Sequence, residues 1–372
     1  MRKKLGDFGF KIIVGVVAFV IFASAIYYAN DGFRQADENY SHHETARVVE
    51  VLSIDTETTE DGFYVGEMLL VVEVETGRYQ GDRMEVVYYL NQISNEPLEI
   101  NERVSVQMSV VDSEITNIHI QSPERREVVF AFFAIFLLVL GILGGKRGLI
   151  AITSLAFTLI CIIFLLIPLM LRGYPVLLTT FFILSIVTVV SLTFLAGLSS
   201  KGISAMIGCL IGVLATAILT HMGGTVAHVS GFHMEEVGLI LATTDFPAVQ
   251  ASGLFIGGVL IASLGAVMDT AVTIASTIHE LRKNNPKMTV GRLFRSGMNV
   301  GRDTMGTMTC TLILAFAGTS LNMMILIYSQ GTSLNQLINS DFMVIEIIRS
   351  IAGSLGIILT IPAVAFVSCV ME

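Results

Sequence analysis

Two aspartates stand in segments that are otherwise fit to cross a bilayer. Asp269 lies in a run from Val249 to Ile278 with no other charge, and Asp303 opens the next apolar segment. At helical spacing Gly258, Ala262, Gly265, Asp269, Thr273 and Ser276 share one face. Asp303, Thr307, Thr311, Ala315, Gly318 and Asn322 share another. The remaining sides are mostly Ile, Leu, Val, Met and Phe. A carboxylate in hydrocarbon costs roughly 2.5–3.5 kcal/mol on insertion scales. These faces are therefore expected to meet each other or to line a hydrated path. In such a place Asp269 can exchange a proton or hold a cation, or it can serve as a hydrogen-bond partner between helices. Asp303, just after Arg302, has a second reading as the cap of its helix at the membrane boundary.

Two further constellations could do chemistry. Glu346 and Arg349 are three apart in the last apolar segment, so they can pair on one face. Arg349 can instead snorkel to the outer headgroups. His221, His228, His233, Glu235, Glu236 and Asp245 crowd one link, residues 220–252. Imidazoles and carboxylates so close suit a divalent metal or a proton antechamber. Their spacing matches no standard metal site, so no metal and no cofactor are expected. Common catalytic signatures are missing too. His279-Glu280 has no second histidine at the zincin spacing, and no Walker or Rossmann glycine pattern occurs. The expectation is a protein that is not an enzyme.

The elements that must position these groups follow from composition. Of 372 residues 53% are hydrophobic and 14% charged, against about 25% charged in globular proteins. Long uncharged blocks mean a polytopic membrane protein. Residues 31–126 hold 20 acids and 7 arginines, a balance of −13, while the rest of the chain is +4. The acidic and basic parts are expected on opposite sides of a membrane. The four cysteines lie in apolar segments and form no disulfide framework.

In chain order, a basic start (Arg2, Lys3, Lys4, Lys11) precedes an apolar run to Ala29. It reads as an uncleaved anchor over residues 1–30, with a cleaved signal peptide as the alternative. Five β-branched, alternating runs follow: Arg47–Ile54, Glu67–Val74, Arg83–Tyr89, Val104–Val110 and Ile115–Ile120. They predict a small extracytoplasmic β barrel of OB type in residues 31–126. Its acidity excludes a nucleic-acid groove. Residues 127–372 predict seven further spans, making an α-helical membrane protein of about eight. Lysine and arginine concentrate in alternate links, which places both termini in the cytoplasm. Val237–Ala242 reads as a re-entrant piece. Val290–Val300 reads as an amphipathic helix along the inner surface.

The strings GAVMDTAVTIAS (Gly265–Ser276) and GRDTMGTMT (Gly301–Thr309) resemble those of the YibE/YibF family of bacterial membrane proteins. The resemblance covers the membrane part from about Glu127 onward. The anchor and β domain are similar to the longer, YibE-like members. It implies a multi-pass protein of the bacterial cytoplasmic membrane, with a shorter YibF-like subunit as a plausible partner beside a homo-oligomer and the lipid bilayer. A looser similarity to the membrane core of SecD/SecF and RND exporters rests on the same Asp-bearing and Thr-rich segments. The expected function is a proton- or cation-coupled transporter or permease subunit. In it Asp269, Thr273, Asp303, Thr307, Thr311, Glu346 and Arg349 would form the coupling path. The rival is an assembly protein whose exterior domain binds an envelope partner.

Overall fold

The computed structural model describes residues 22–31, 41–91, 94–111, 114–229, 234–243 and 251–372. Backbone contacts divide the chain into two compact units, residues 30–142 and the remainder.

The first unit is a five-stranded antiparallel sheet: β1 (Ser41–Thr58), β2 (Tyr64–Val74), β3 (Arg83–Leu90), β4 (Arg103–Val111) and β5 (Glu114–Pro123). The strand order is β3-β2-β1-β4-β5. β1 is long enough to pair with β2 over residues 46–58 and with β4 over residues 41–47. Register shifts after Val48 and Val51 bend it between the two partners. β3 and β5 also come into contact, so the sheet nearly closes into a barrel. Alternation makes the core. Along β2 Met68, Leu70, Val72 and Val74 point inward, and along β3 Val86, Tyr88 and Leu90 do the same. Val104, Val106 and Met108 of β4 complete it.

The remaining elements are helices, of which α2 starts within the first unit. Residues 22–30 form α1, followed by α2 (Arg126–Cys161), a π-helical turn (Ile162–Leu166) and α3 (Ile167–Leu171). Then come α4 (Val176–Ala196), α5 (Ser200–Val226), α6 (Glu235–Thr243) and α7 (Ala251–Asn284). The last are α8 (Val290–Thr319), α9 (Leu321–Ser329), α10 (Leu334–Ile338) and α11 (Asp341–Met371). Among the described residues five helices are long and apolar enough to cross a membrane, or six if the bent pair α8–α9 is one span. One of the five is the 46-residue stretch Arg126–Leu171. At 1.5 Å per residue it would run roughly 70 Å, more than twice a hydrocarbon core. It breaks at Gly145, whose backbone (φ 53°, ψ −132°) only glycine adopts readily. The break adjoins Lys146 and Arg147, the residues that mark a link in the sequence. Further on, the π turn just ahead of Pro168 absorbs the missing amide of that proline.

The bundle is built on close helix approach. α5 packs on α11 through small residues. A side chain at Gly208 would lie 2.0 Å from Val364 Cγ2, and one at Gly212 1.8 Å from Thr360 Oγ1. Gly356 of α11 meets Thr216 in the same way. Without water to drive association, such small-residue seams are what hold membrane helices together.

Two expectations about segments are corrected. Val290–Val300 is no separate surface helix; it is the first third of α8. The cause is on its inner side, where Leu293 is fully buried, Gly297 abuts Ile278 and Gly301 abuts Ile361. These contacts carry the helix straight into the bundle. Asp303 therefore caps nothing, because it lies more than three turns inside a continuous helix.

Candidate functional site

α8 and α9 share one apolar stretch but are bent by 57° at Ser320. The local sequence is Ala317-Gly318-Thr319-Ser320, weak in helix propensity. Ser320 begins α9 without any side-chain capping bond. At this elbow lies a cavity of about 680 Å³. Thr319, Ser320 and Asn322 line it from the elbow, and Asp341, Glu346 and Arg349 from α11. Its volume falls in the range of small-molecule sites, about 300–1,000 Å³.

The polar groups in its wall are incompletely matched. Arg349 Nη1 donates to Glu346 Oε1 at 2.8 Å. The two side chains are only 17% and 13% exposed. Glu346 Oε2 and Arg349 Nε are buried and have no hydrogen-bond partner among the described residues. The guanidinium also lies 5.7 Å from the ring centre of Phe316, a cation–π distance. The sequence-level alternatives for this pair thus resolve in favour of pairing, not snorkelling.

Asp269 and Asp303 are placed differently. α7 turns Val259, Ser263, Val267, Thr270, Ile274 and Ile278 into the bundle. Its opposite stripe, with Gly258, Ala262, Gly265, Asp269 and Thr273, stays exposed in the single chain. A side chain built at Gly258 or Gly265 would touch nothing. On α8, Asp303, Thr307, Thr311, Ala315 and Gly318 are likewise exposed. The expectation that the two polar faces meet each other is therefore corrected. The two helices pack through other sides, because Leu293, Leu312 and Phe316 of α8 supply the apolar surface that packing needs. Thr307 Oγ1 and Thr311 Oγ1 donate to carbonyls of their own helix. Neither aspartate makes a hydrogen bond or ion pair among the described residues. Arg349 is brought to Glu346 and not to Asp269.

The histidine-rich link is described only in part. His221 sits on the last turns of α5, and His228 follows that helix in a left-handed conformation (φ 55°). His233 and Asp245 lie outside the described residues, as do the side chains of Glu235 and Glu236 in α6. No group of three metal-ligating side chains occurs among the described residues. The expected re-entrant piece Val237–Ala242 is part of the nine-residue α6, with Val237 buried and Leu239 exposed.

Sequence reasoning missed the elbow, and with it Thr319, Ser320 and Asp341. The signal was present in the Gly-Thr-Ser run, but mean hydropathy over the segment hides a bend.

No curated protein and no solved structure matches the chain. A family model described as "YibE/F-like protein" matches residues 132–372, the part that contains the cavity, the elbow and both aspartates. The chain belongs to the YibE/F-like family.

Proposed function

We propose that this protein is a transporter, or the permease subunit of one, driven by protons or another cation. The observation that carries the reading is the elbow between α8 and α9, opening onto a polar cavity that holds a half-satisfied Glu–Arg pair. Helices broken at depth bring backbone ends and charged groups to one place, as solute sites in membranes require. A lone structural ion pair would not need a cavity beside it.

The topology that accompanies this reading has eight spans. Splitting Arg126–Leu171 at Gly145 gives two crossings, α8–α9 counts as one, and the apolar run ending at Ala29 adds the first. Both termini are then cytoplasmic and the acidic barrel is extracytoplasmic. Support comes from Tyr28 and Tyr174, both assigned to the outer edge. They lie 146 residues apart, yet their hydroxyls are 3.2 Å from each other. Arg172, in the same outer link, donates to Ala29 O at 3.1 Å and stacks on Tyr28. The strand order, with β3 beside β5, supports an OB-type barrel.

Asp269 binds the coupling ion in this scheme. Lipid would reject its open stripe, and small residues flank it as they do at helix interfaces. A second copy of the chain or a shorter YibF-like subunit therefore covers the stripe. Asp303, Thr307 and Thr311 extend the hydrated path toward the cytoplasm.

The test is uptake by proteoliposomes. Under an imposed inward proton or sodium gradient, the wild type should accumulate solutes from a labelled small-metabolite mixture. No gradient-dependent accumulation by correctly inserted protein would overturn the reading. The second reading, an assembly protein, draws on the seam between β3 and β5, a groove of about 580 Å³ with Tyr89 60% exposed beside it. Deleting residues 40–122 should leave residual flux in a transporter and abolish an assembly role.

A further inference from the structure

We infer that the elbow cavity takes a small zwitterion with an apolar side chain, the chemistry of a hydrophobic α-amino acid. The inference rests on the transport reading only in treating the cavity as a solute site. Three observations converge on it.

The first is the pair itself. Glu346 and Arg349 neutralise each other through one hydrogen bond, yet each keeps a buried polar atom with no partner. Leaving such atoms unmatched is costly, more so for charged groups. A ligand that carries both an ammonium and a carboxylate opens the pair and matches both halves. A ligand with a single charge satisfies one member and strands the other, the worst outcome for a buried charge. The second observation is the position of α9. Its uncapped amino-terminal end, at Ser320, forms part of the same wall. The positive end of a half-helix favours a carboxylate. The third is the apolar part of the lining, Met323, Leu326, Phe342 and Ile345, which shares the wall with Thr319, Asn322 and Asp341. The four apolar side chains suit a hydrocarbon or aromatic group, and the carboxylates of Asp341 and Glu346 oppose a polyanion.

Depth is consistent with access from the α11 start. Glu346 and Arg349 lie five and eight residues into α11, roughly 8 and 12 Å from its beginning. A solute entering at that end reaches the pair without crossing the bundle.

The test is calorimetry on the purified full chain in lipid nanodiscs, with no gradient imposed. The probes are leucine, methionine and phenylalanine, with three leucine analogues: 4-methylpentanoate, isoamylamine and the neutral 4-methylpentanamide. At least one amino acid should bind, and each analogue should bind at least about 30-fold more weakly than leucine when leucine is the ligand, the loss expected when one buried charge goes unpaired. Glu346→Gln should weaken amino-acid binding by a similar factor and strengthen 4-methylpentanoate binding, because no buried carboxylate is then stranded when Arg349 pairs with the ligand. If none of the three amino acids binds to wild-type protein that still unfolds cooperatively, the inference is wrong. It is equally wrong if any analogue matches the amino acid. Because binding is read without flux, a protein that transports other solutes but ignores amino acids defeats this inference alone. One that binds leucine but moves nothing defeats the transport reading alone.

Discussion

The barrel and the helical bundle treat their polar groups in opposite ways. In the barrel, charges find one another across strands. Glu75 receives both Arg47 and Arg103, Thr45 donates to Glu124, and Thr76 donates to Glu44. In the bundle, hydroxyls mostly turn back onto their own helix. Thr188, Thr216, Thr220 and Thr360 each donate to the carbonyl four residues earlier. The carboxylates Asp269 and Asp303 have no such recourse and stay unmatched among the described residues. Where water is present, an unmatched charge costs little and marks nothing. Within a membrane it is expensive, so its persistence points to use. The polar pairs of the barrel therefore account for shape, and the unpaired groups of the bundle are the ones to which the proposal assigns ion coupling.

Substitutions can sharpen or break that contrast. The largest effect should come from the barrel core. Leu70 is fully buried, and Leu70→Ala should cost about 2–5 kcal/mol. Hydrogen exchange of the strand amides in the full chain should show faster opening there while the helices stay protected. Next is the bundle seam. Gly208→Val forces a methyl against Val364, whose Cα lies only 2.9 Å from where a side chain would begin. Overpacking of this kind costs about 1–3 kcal/mol and should lower the detergent unfolding temperature. Unchanged stability would mean that α5 and α11 do not meet as described.

A smaller effect concerns acid. The backbone amide of Arg126, with Thr45 assisting, holds the Glu124 carboxyl below its ordinary value of 4.5. A depressed carboxylate stabilises the fold above its unfolded pKa, and that contribution fades as pH falls through the folded value. Barrel stability should therefore drop in acid below about pH 4.5. Glu124→Gln should flatten that part of the profile, as followed by circular dichroism of the full chain. The smallest structural effect belongs to Asp269→Asn. With no partner to lose among the described residues, its unfolding temperature should match the wild type.

Much of this was legible from residue order, for physical reasons. The five strands follow from period-two alternation bounded by turn residues, and each run lies within an observed strand. β1 is longer than its alternating run because its ends pair with different neighbours, which no local pattern encodes. The apolar blocks were legible because hydrocarbon tolerates so few charges. The family was legible in the strings around Asp269 and Asp303. What could not be read was relative placement. That α8 runs unbroken from Val290 depends on Gly297 and Gly301 fitting against Ile278 and Ile361, which are distant in sequence. The 57° elbow sits inside a single uncharged stretch with no proline to mark it. The open stripe of α7 reflects what the other helices leave uncovered.

The account stands on the claim that Asp269 is kept for ion coupling and not for folding. The direct measurement is gradient-driven uptake by proteoliposomes holding equal amounts of wild type and Asp269→Asn, with unfolding temperature recorded for both. The account predicts equal unfolding temperatures and uptake by the variant at the level of protein-free vesicles. Full uptake by the variant, or a collapse of its stability, would contradict it.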